Sequence, residues 1–558
     1  MDEGSISAAV HWFAEHPMVN EVLVTGGDPA LLGDEVLGSL LGRLAELEHI
    51  TRIRIGTRVP VVLPMRVTSS FLDEIEGLVA STTAEDVQRV AQRYLKRSNV
   101  TVGWFEPEGV AGAAQPYEMP AAVKPSFWTG PAAKSVAPTL DGIRRVELPN
   151  GVTVIGRENA STGSVVMRAV VRAGTAYDSD DRAGLASFTA RAVSRGTESL
   201  TFAQLNELVD SLGASFGSDA AVHTASVGFR CLAEDLQRMA ALAFESLRAP
   251  AFRSDDVDRL RGEIITALRE QDDDPGSVAE RAWSRLAYPA GHPFARWPVG
   301  SVDTIAAMSS SDLREFHATR YGPAGAIVVF AGNARWDDVV REVERGLGDW
   351  RAAEPAPLEV PDAPPVSGMP RAFAALAGKS QASIVMGRPA LSRRSPDYYA
   401  LSFADLILGG LGLMGRLGES VRDEQGLAYH VSSSLESVLG PGAWQISAGV
   451  APQHVDRAIE AILAQVARIR HEPITDAELA DGKSYVTGIL PLALETNSGV
   501  ARLLHQIELF GLGLNYVTEY QRIINALTKE QILEAARRYM SETDIAISIA
   551  GPESGDNR

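Results

Sequence analysis

Arg422 and Tyr429 stand seven residues apart, on either side of the turn Asp423-Glu-Gln-Gly426, which leads into the strand-like run Leu427-Ala-Tyr-His-Val-Ser. By itself a pair at this spacing is most often surface packing, but a guanidinium and a phenol held on such a frame can also act as preorganised donors to developing oxyanion charge. Just upstream, Leu408-Gly-Gly-Leu-Gly-Leu-Met-Gly-Arg416 places Gly409, Gly410, Gly412 and Gly415 where backbone either meets an extended peptide closely or simply connects two helices. No Gly-Lys-Ser/Thr follows, so the run is not a phosphate loop. Ser187 and Arg191, four apart, share one face of a helical stretch that opens at Gly184, while Leu185, Phe188, Ala192 and Val193 form its apolar face. His11, Glu15 and His16 imitate a zinc helix, but the histidines are five apart, roughly 140° around the axis, and share no face. His223, His317, His430, His454, His471 and His505 lack metal spacing and read as surface or core residues.

These side chains need several domains to position them. A chain of 558 residues exceeds one core and predicts three or four domains. The net charge of −19 disfavours nucleic acid and suits a cationic or neutral peptide. One cysteine, Cys231, excludes an internal disulfide, a thiolate zinc site or a cluster built by this chain alone, and it reads as a small buried hydrophobe in a strand. The sequence holds no run of eighteen apolar residues to span a membrane, and Met1-Asp-Glu-Gly-Ser lacks a signal-peptide pattern, so the expected compartment is the cytoplasm unless the native start differs.

An internal repeat sets the domain frame. Thr83 to Tyr94, Ser310 to Tyr321 and Thr528 to Tyr539 each read as a helix opened by a hydroxyl N-cap and closed by Arg-Tyr, with an aliphatic residue five before the cap (Leu78, Ile305, Ile523) and a strand after it. The spacing gives units of about 220 residues. Two are complete, at 141–352 and 368–552, separated by a Pro/Ala-rich linker at 353–367. Residues 69–110 read as the tail of a further unit whose front is missing, and 111–140 as a second linker. Each complete unit mixes alternating strands, such as Val165 to Val171, with long helices over 255–271, 336–347 and 454–470, which predicts an α+β fold of antiparallel sheets packed with helices. Residues 1–68 read as an α/β fragment: a helix at 7–16, a strand from Glu21 ending in Gly26-Gly-Asp-Pro29, a helix at 33–47 and a strand at 51–58.

Two resemblances follow. His16-Pro17, Thr25-Gly-Gly-Asp-Pro29 and Arg54 to Pro64 resemble the lysine 2,3-aminomutase branch of radical-SAM enzymes, over about a tenth of the chain. The family's three-cysteine motif is missing, so the block is expected to be a truncated remnant, fused by rearrangement or gene assembly, without that activity. About 410 residues resemble the M16 zinc-peptidase superfamily of insulinase, pitrilysin and mitochondrial processing peptidase. The resemblance rests on Arg172-Ala-Gly-Thr175, Ala183-Gly-Leu-Ala186, Arg195-Gly-Thr197, His292-Pro-Phe-Ala-Arg296 with Gly300, and Arg416 to Tyr429.

That likeness implies two homologous domains forming a clamshell around an extended peptide. In active members Gly-Leu-Ala is followed by His-x-x-Glu-His, and a further glutamate about 76 residues on completes the zinc ligands. Here those positions hold Ser187, Ala190, Arg191 and Ala267, a vacated zinc site, so this chain is expected to hold no metal and to be inactive alone. The resemblance further implies that Arg422 and Tyr429 support substrate carbonyls, and that the glycine run is like the peptide-binding loop of the noncatalytic processing-peptidase subunit. The expectation is a noncatalytic partner of a heterodimeric peptidase whose other subunit carries His-x-x-Glu-His and zinc. The alternative is a nonenzymatic, peptide-binding or complex-stabilising protein of the same type.

Overall fold

The computed structural model describes residues 3–16, 19, 21–24, 34–47, 49–50, 52–55, 89, 140–352 and 360–552, which fall into two compact units, 1–128 and 129–558. In the first, helix Glu3–Glu15, strand β1 (Glu21–Val24), helix Asp34–Ala45 and strand β2 (Arg52–Ile55) follow in order, and β1 and β2 pair in parallel. A parallel pair needs a crossover, which the second helix supplies, and Val22, Leu40 and Leu44 form the small core. His11 pairs with Glu15 at 3.4 Å, while His16 stacks on Trp12, so the histidines do separate jobs. The glycine pair after β1, the arginines beyond β2, the repeat ending at Tyr94 and the linker before residue 140 lie outside the described residues.

The second unit holds two mixed sheets of matching design. The first comprises β3 (Ile143–Glu147), β4 (Thr153–Glu158), β5 (Ser164–Val171), β6 (Ser215–Ala220), β7 (Ala225–Leu232) and β8 (Ile327–Gly332), in the order β3-β4-β8-β5-β7-β6. The second comprises β9 (Arg371–Ala375), β10 (Ala382–Pro389), β11 (Ala428–Leu435), β12 (Ala443–Val450) and β13 (Ala546–Gly551), in the order β11-β12-β10-β13-β9. Removing β3 makes the two orders superimpose, so the repeat in sequence is a repeat in topology. Each sheet is antiparallel except for one parallel pair at the equivalent place, β4 with β8 and β9 with β13. The last strand of each arrives from a long helical excursion and is free to enter either way round.

Alternation along the strands builds the layers. Val165, Met167, Ala169 and Val171 of β5 face the first domain's helical core, and Val166 and Val170 face the other side. The helices anticipated at 255–271 and 454–470 run over Ser254–Asp272 and Val455–His471, and Trp336–Leu347 runs as expected. One cap differs: the helix Ser310–Arg320 is capped by Ser309, not Ser310, because Ser309 forms a reciprocal capping box with Asp312. Its counterpart Thr528 caps Lys529–Tyr539 as anticipated, in a box with Gln531.

Each domain completes the other. Helix Pro275–Ala287, from the first domain, lays Ala279, Trp283 and Ala287 against Val385, Ala443, Ala546 and Ala550 of the second sheet. Helix Asn497–Phe510, from the second, lays Val500, Ala501, Leu504 and Ile507 against Ile155, Val170, Ile327 and Val329 of the first. Neither sheet is covered on both faces without its neighbour, so the two domains fold as one body. Polar contacts set the register of this exchange: Arg145 binds Glu508 through two bonds of 2.9 Å, and Asn497 bridges Asn159, Thr162 and Ser164.

His223, in the β6–β7 turn, accepts a bond from the Leu439 backbone N–H across the domain junction at 2.9 Å, while its buried Nδ1 has no partner among the described residues. Burial pushes this histidine down to about 4. The folded state prefers the neutral ring, so its contribution is present above the ordinary value of 6.5 and is lost as pH falls from 6.5 towards 4. The unfolding free energy measured in urea is expected to fall by about 3 kcal/mol over that window from this residue. His223→Gln should show a correspondingly flatter pH profile, and an unchanged profile would refute the assignment.

Candidate functional site

The motif helix Leu185–Val193 is fixed at its start by several of the matched motifs together. Gly184 opens it at φ +93°, and a Cβ there would lie 2.7 Å from the Val299 carbonyl oxygen. Gly300, at φ +77°, meets the Ala183 carbonyl in the same way. Asp178 accepts bonds from the Gly184 and Ala186 N–H groups, both at 2.9 Å, and burial pushes its carboxyl up to about 7 against those bonds. Arg296 clamps the preceding turn through Asp180 at 2.9 Å and the Ala176 carbonyl. The segments around 172–186 and 292–300 thus form a knot that aims this helix.

On the helix, Leu185, Phe188, Ala192 and Val193 are buried in the core, as their spacing anticipates. Ser187 and Arg191 lie half-buried on another face, and the carbonyl of buried Ala190 accepts a bond from Ser218 of edge strand β6 at 2.6 Å. Ala267 sits on helix Ser254–Asp272, which packs against the motif helix. One residue escaped the sequence reading here. Glu263, one turn before Ala267 on the same helix, is held by two bonds from Arg195. Its signal was the four-residue offset from Ala267, which keeps a carboxylate on that face. Burial lowers the Arg191 guanidinium, Glu263 raises it and Arg195 lowers it further. A hydroxyl, two methyls, a guanidinium and a carboxylate already engaged by arginine do not fit zinc, which takes deprotonated sulfur, imidazole or free carboxylate donors.

The second domain presents Arg422 and Tyr429 differently. A turn of π-helix, Gly418–Glu424, is pinned by buried Val421 and Leu427 and reversed at Gly426, whose φ of +61° suits the tight turn. Arg422 is exposed and has no side-chain partner among the described residues. Tyr429 is 75% exposed and lies where the β11–β12 register slips between Ala428 and His430. A bulge re-aims a side chain out of the ladder, which accounts for a large exposed phenol between buried Ala428 and Val431.

The glycine run is packed more tightly than its composition suggests. A Cβ on Gly409 would sit 2.6 Å from the Ser433 nitrogen of β11, and one on Gly415 only 3.1 Å from the Leu408 carbonyl, so these two close the loop upon itself and upon the sheet. Gly410 is exposed, and Gly412 turns the chain at φ +61° with open space beside it. Between them the loop pushes Leu413 and Met414 outward, Met414 to 86% exposure. Gly418 is a further glycine the spacing did not flag; a Cβ there would collide with the Gly412 carbonyl. Beneath the loop, Arg416 is buried and grips Glu478 at 2.7 and 3.0 Å. Glu478 also forms a capping box with Thr475 at the start of helix Asp476–Ala493, a pattern legible in Thr475-x-x-Glu478. Burial alone would raise the Glu478 carboxyl, but Arg416 and Thr475 outweigh it and hold it down to about 2.

Elsewhere, Cys231 is buried in β7 as anticipated, and burial pushes its thiol up to about 11, far from a nucleophile.

The fold and these motif positions define a two-domain, M16-type protein. Residues 153–292 match the family model for Insulinase (Peptidase family M16), and residues 307–486 match the model for the Peptidase M16 inactive domain, so the chain is built around two M16-type domains. An uncharacterized zinc protease of Streptomyces coelicolor is 24% identical over 418 residues, covering 74% of this chain and 90% of that protein. A protein of Helicobacter pylori, Non-peptidase homolog YmxG, is 20% identical over 410 residues, covering 73% and 93%. The crystal structure of a peptidase M16 inactive domain from Pseudomonas fluorescens aligns with a TM-score of 0.68 at 22% identity, over 74% of this chain and 98% of that one. Among the described residues no helix is long and apolar enough to cross a membrane.

Proposed function

We propose that this chain is the noncatalytic, substrate-binding subunit of a two-chain M16 zinc peptidase acting on unstructured peptides. The observation that carries the reading is an asymmetry within one chain. The motif helix carries no zinc-binding group at its matched positions, Ser187, Ala190 and Arg191, while the opposite domain offers Arg422 and Tyr429 exposed and without a side-chain partner among the described residues. Zinc and the activating glutamate would come from a partner bearing His-x-x-Glu-His; this chain would supply two donors to the substrate carbonyl and the glycine loop to its backbone. The match of residues 307–486 to an inactive-domain model agrees with that division of labour. Purified alone, the chain is expected to leave unstructured peptides intact with or without zinc; turnover should appear when the partner is added. Zinc-dependent cleavage by this chain alone would overturn the proposal.

Likeness to the non-peptidase homolog of Helicobacter pylori favours a second reading, a nonenzymatic protein that holds peptides or stabilises a complex. It predicts that the physiological partner also lacks His-x-x-Glu-His.

A further inference from the structure

The face of the first sheet turned away from its helical core is apolar only in part. Around β4, β8 and the end of β5 it is covered by Val500, Leu504 and Ile507 of the Asn497–Phe510 helix. Towards the free edge strand β6 the same face turns polar. Register sets its rows: Val166 lies opposite Arg230, which lies opposite Ser215; Arg168 lies opposite Gly228, then Gly217; Val170 lies opposite Ser226, then Asp219. The two glycines leave the middle row without side chains beyond β5, and Arg168 lies across the gap to reach Asp219 at 2.7 and 2.9 Å and Ser226 at 2.8 Å. The result is a cavity of about 500 Å³ between this polar face and the exchanged helix. That lies in the size range of clefts that hold ligands.

The cavity is cationic in an acidic protein. Arg168 and Asp219 neutralise each other, and Asp219 is the one carboxylate on the wall. Arg230 from the sheet and Arg502 from the helix have no hydrogen-bonded or ion-paired partner among the described residues. Arg502 and His505 lie three apart on the helix and so share its face towards the cavity. The Nε2 of His505 is buried without a partner among the described residues, and burial, with Arg168 adding to it, pushes the imidazole down to about 4, so the ring is neutral. Two unpaired guanidiniums, an unsatisfied imidazole nitrogen and a glycine floor are complementary to an anionic planar group on an unbranched stem. Because the cavity opens beside a free strand edge, an extended chain can reach it.

We propose that this cavity is a carboxylate-binding subsite for an acidic peptide, filled by a glutamate or aspartate side chain or by the peptide's terminal carboxylate. The site belongs to this chain alone and does not depend on its pairing with a catalytic subunit. It gives His505 a role that its isolated position in the sequence does not suggest, and it reverses locally the preference for cations that the net charge of −19 implies.

The test uses the full chain without a partner and three synthetic probes titrated calorimetrically at low salt: an alanine-based heptapeptide with two central glutamates and blocked ends, its glutamine counterpart, and an all-alanine heptapeptide with a free carboxyl terminus. At least one carboxylate probe should bind tenfold or more tightly than the glutamine peptide, and which one does so identifies the source of the carboxylate. Arg230→Gln with Arg502→Gln, both exposed positions that should not unfold the chain, should abolish that preference. The bound probe should shift the His505 imidazole resonances. Equal binding of all three probes, or a preference that survives the double arginine substitution, would overturn the proposal.

Discussion

In the two-chain peptidase proposed above, Arg422→Ala and Tyr429→Phe are each expected to lower kcat/KM by roughly a hundred- to a thousandfold, the range found when one oxyanion donor is removed. The argument rests on exposure and lack of other employment. Arg422 projects from a turn whose buried anchors are Val421 and Leu427, and Tyr429 projects from a bulge, so neither side chain holds the fold together. Their removal should therefore change the unfolding free energy by no more than about 0.5 kcal/mol, as for surface positions in general. A large kinetic loss with unchanged stability separates a role in the reaction from a structural one. Arg422→Lys should recover only part of the activity, because an ammonium keeps the charge but not the planar fork of donors. The double variant should lose less than the product of the single losses if the two donors act on one oxygen. Activity left within twofold of wild type by both substitutions would exclude these residues from the reaction.

Much of this frame is legible in the chain itself. The alternation of β5 names its core face, Trp336–Leu347 runs where its apolar spacing puts it, and the repeat ending in Arg-Tyr anticipates two sheets of the same strand order. Positions 187, 190 and 191 fall on one helix because helical periodicity is local and strong, whereas Ala267, counted from the spacing that the resemblance implies, lies on the helix packed against it. What escaped is non-local. The apolar face of Pro275–Ala287 says that the helix must cover something, but not that it covers the other domain's sheet. The bulge that exposes Tyr429 depends on how β11 meets β12, and the pair of Glu263 with Arg195 on how two helices pack. The cavity beside β6 exists only because Gly217 and Gly228 come into register with Arg168, across three strands drawn from separate segments.

The bond between Arg416 and Glu478 spans 62 residues and carries the largest expected effect on stability. Arg416→Ala removes the cation beneath the glycine loop and leaves the partly buried Glu478 carboxylate with the Thr475 backbone N–H but without its charged partner, at a cost of about 3 kcal/mol. The loss should be concentrated in the loop, so amide exchange across residues 412–418 should accelerate well before global unfolding. Glu478→Gln is expected to be milder, about 1 kcal/mol, because glutamine can keep the capping box with Thr475, as Gln531 does with Thr528. The two variants also differ from the wild type in acid. The folded-state value of Glu478, about 2, lies below its ordinary 4.5, so its contribution is fully present above 4.5 and is lost as pH falls from 4.5 towards 2. Buried Asp178 and Asp405, both raised to about 7 by burial, act with the opposite sign, gaining stability as they protonate below pH 7. Only the difference between wild type and Glu478→Gln isolates the pair. Urea midpoints of the two proteins should differ most above pH 5 and converge between pH 4.5 and 2; parallel profiles would show that the charge of Glu478 does not anchor the loop.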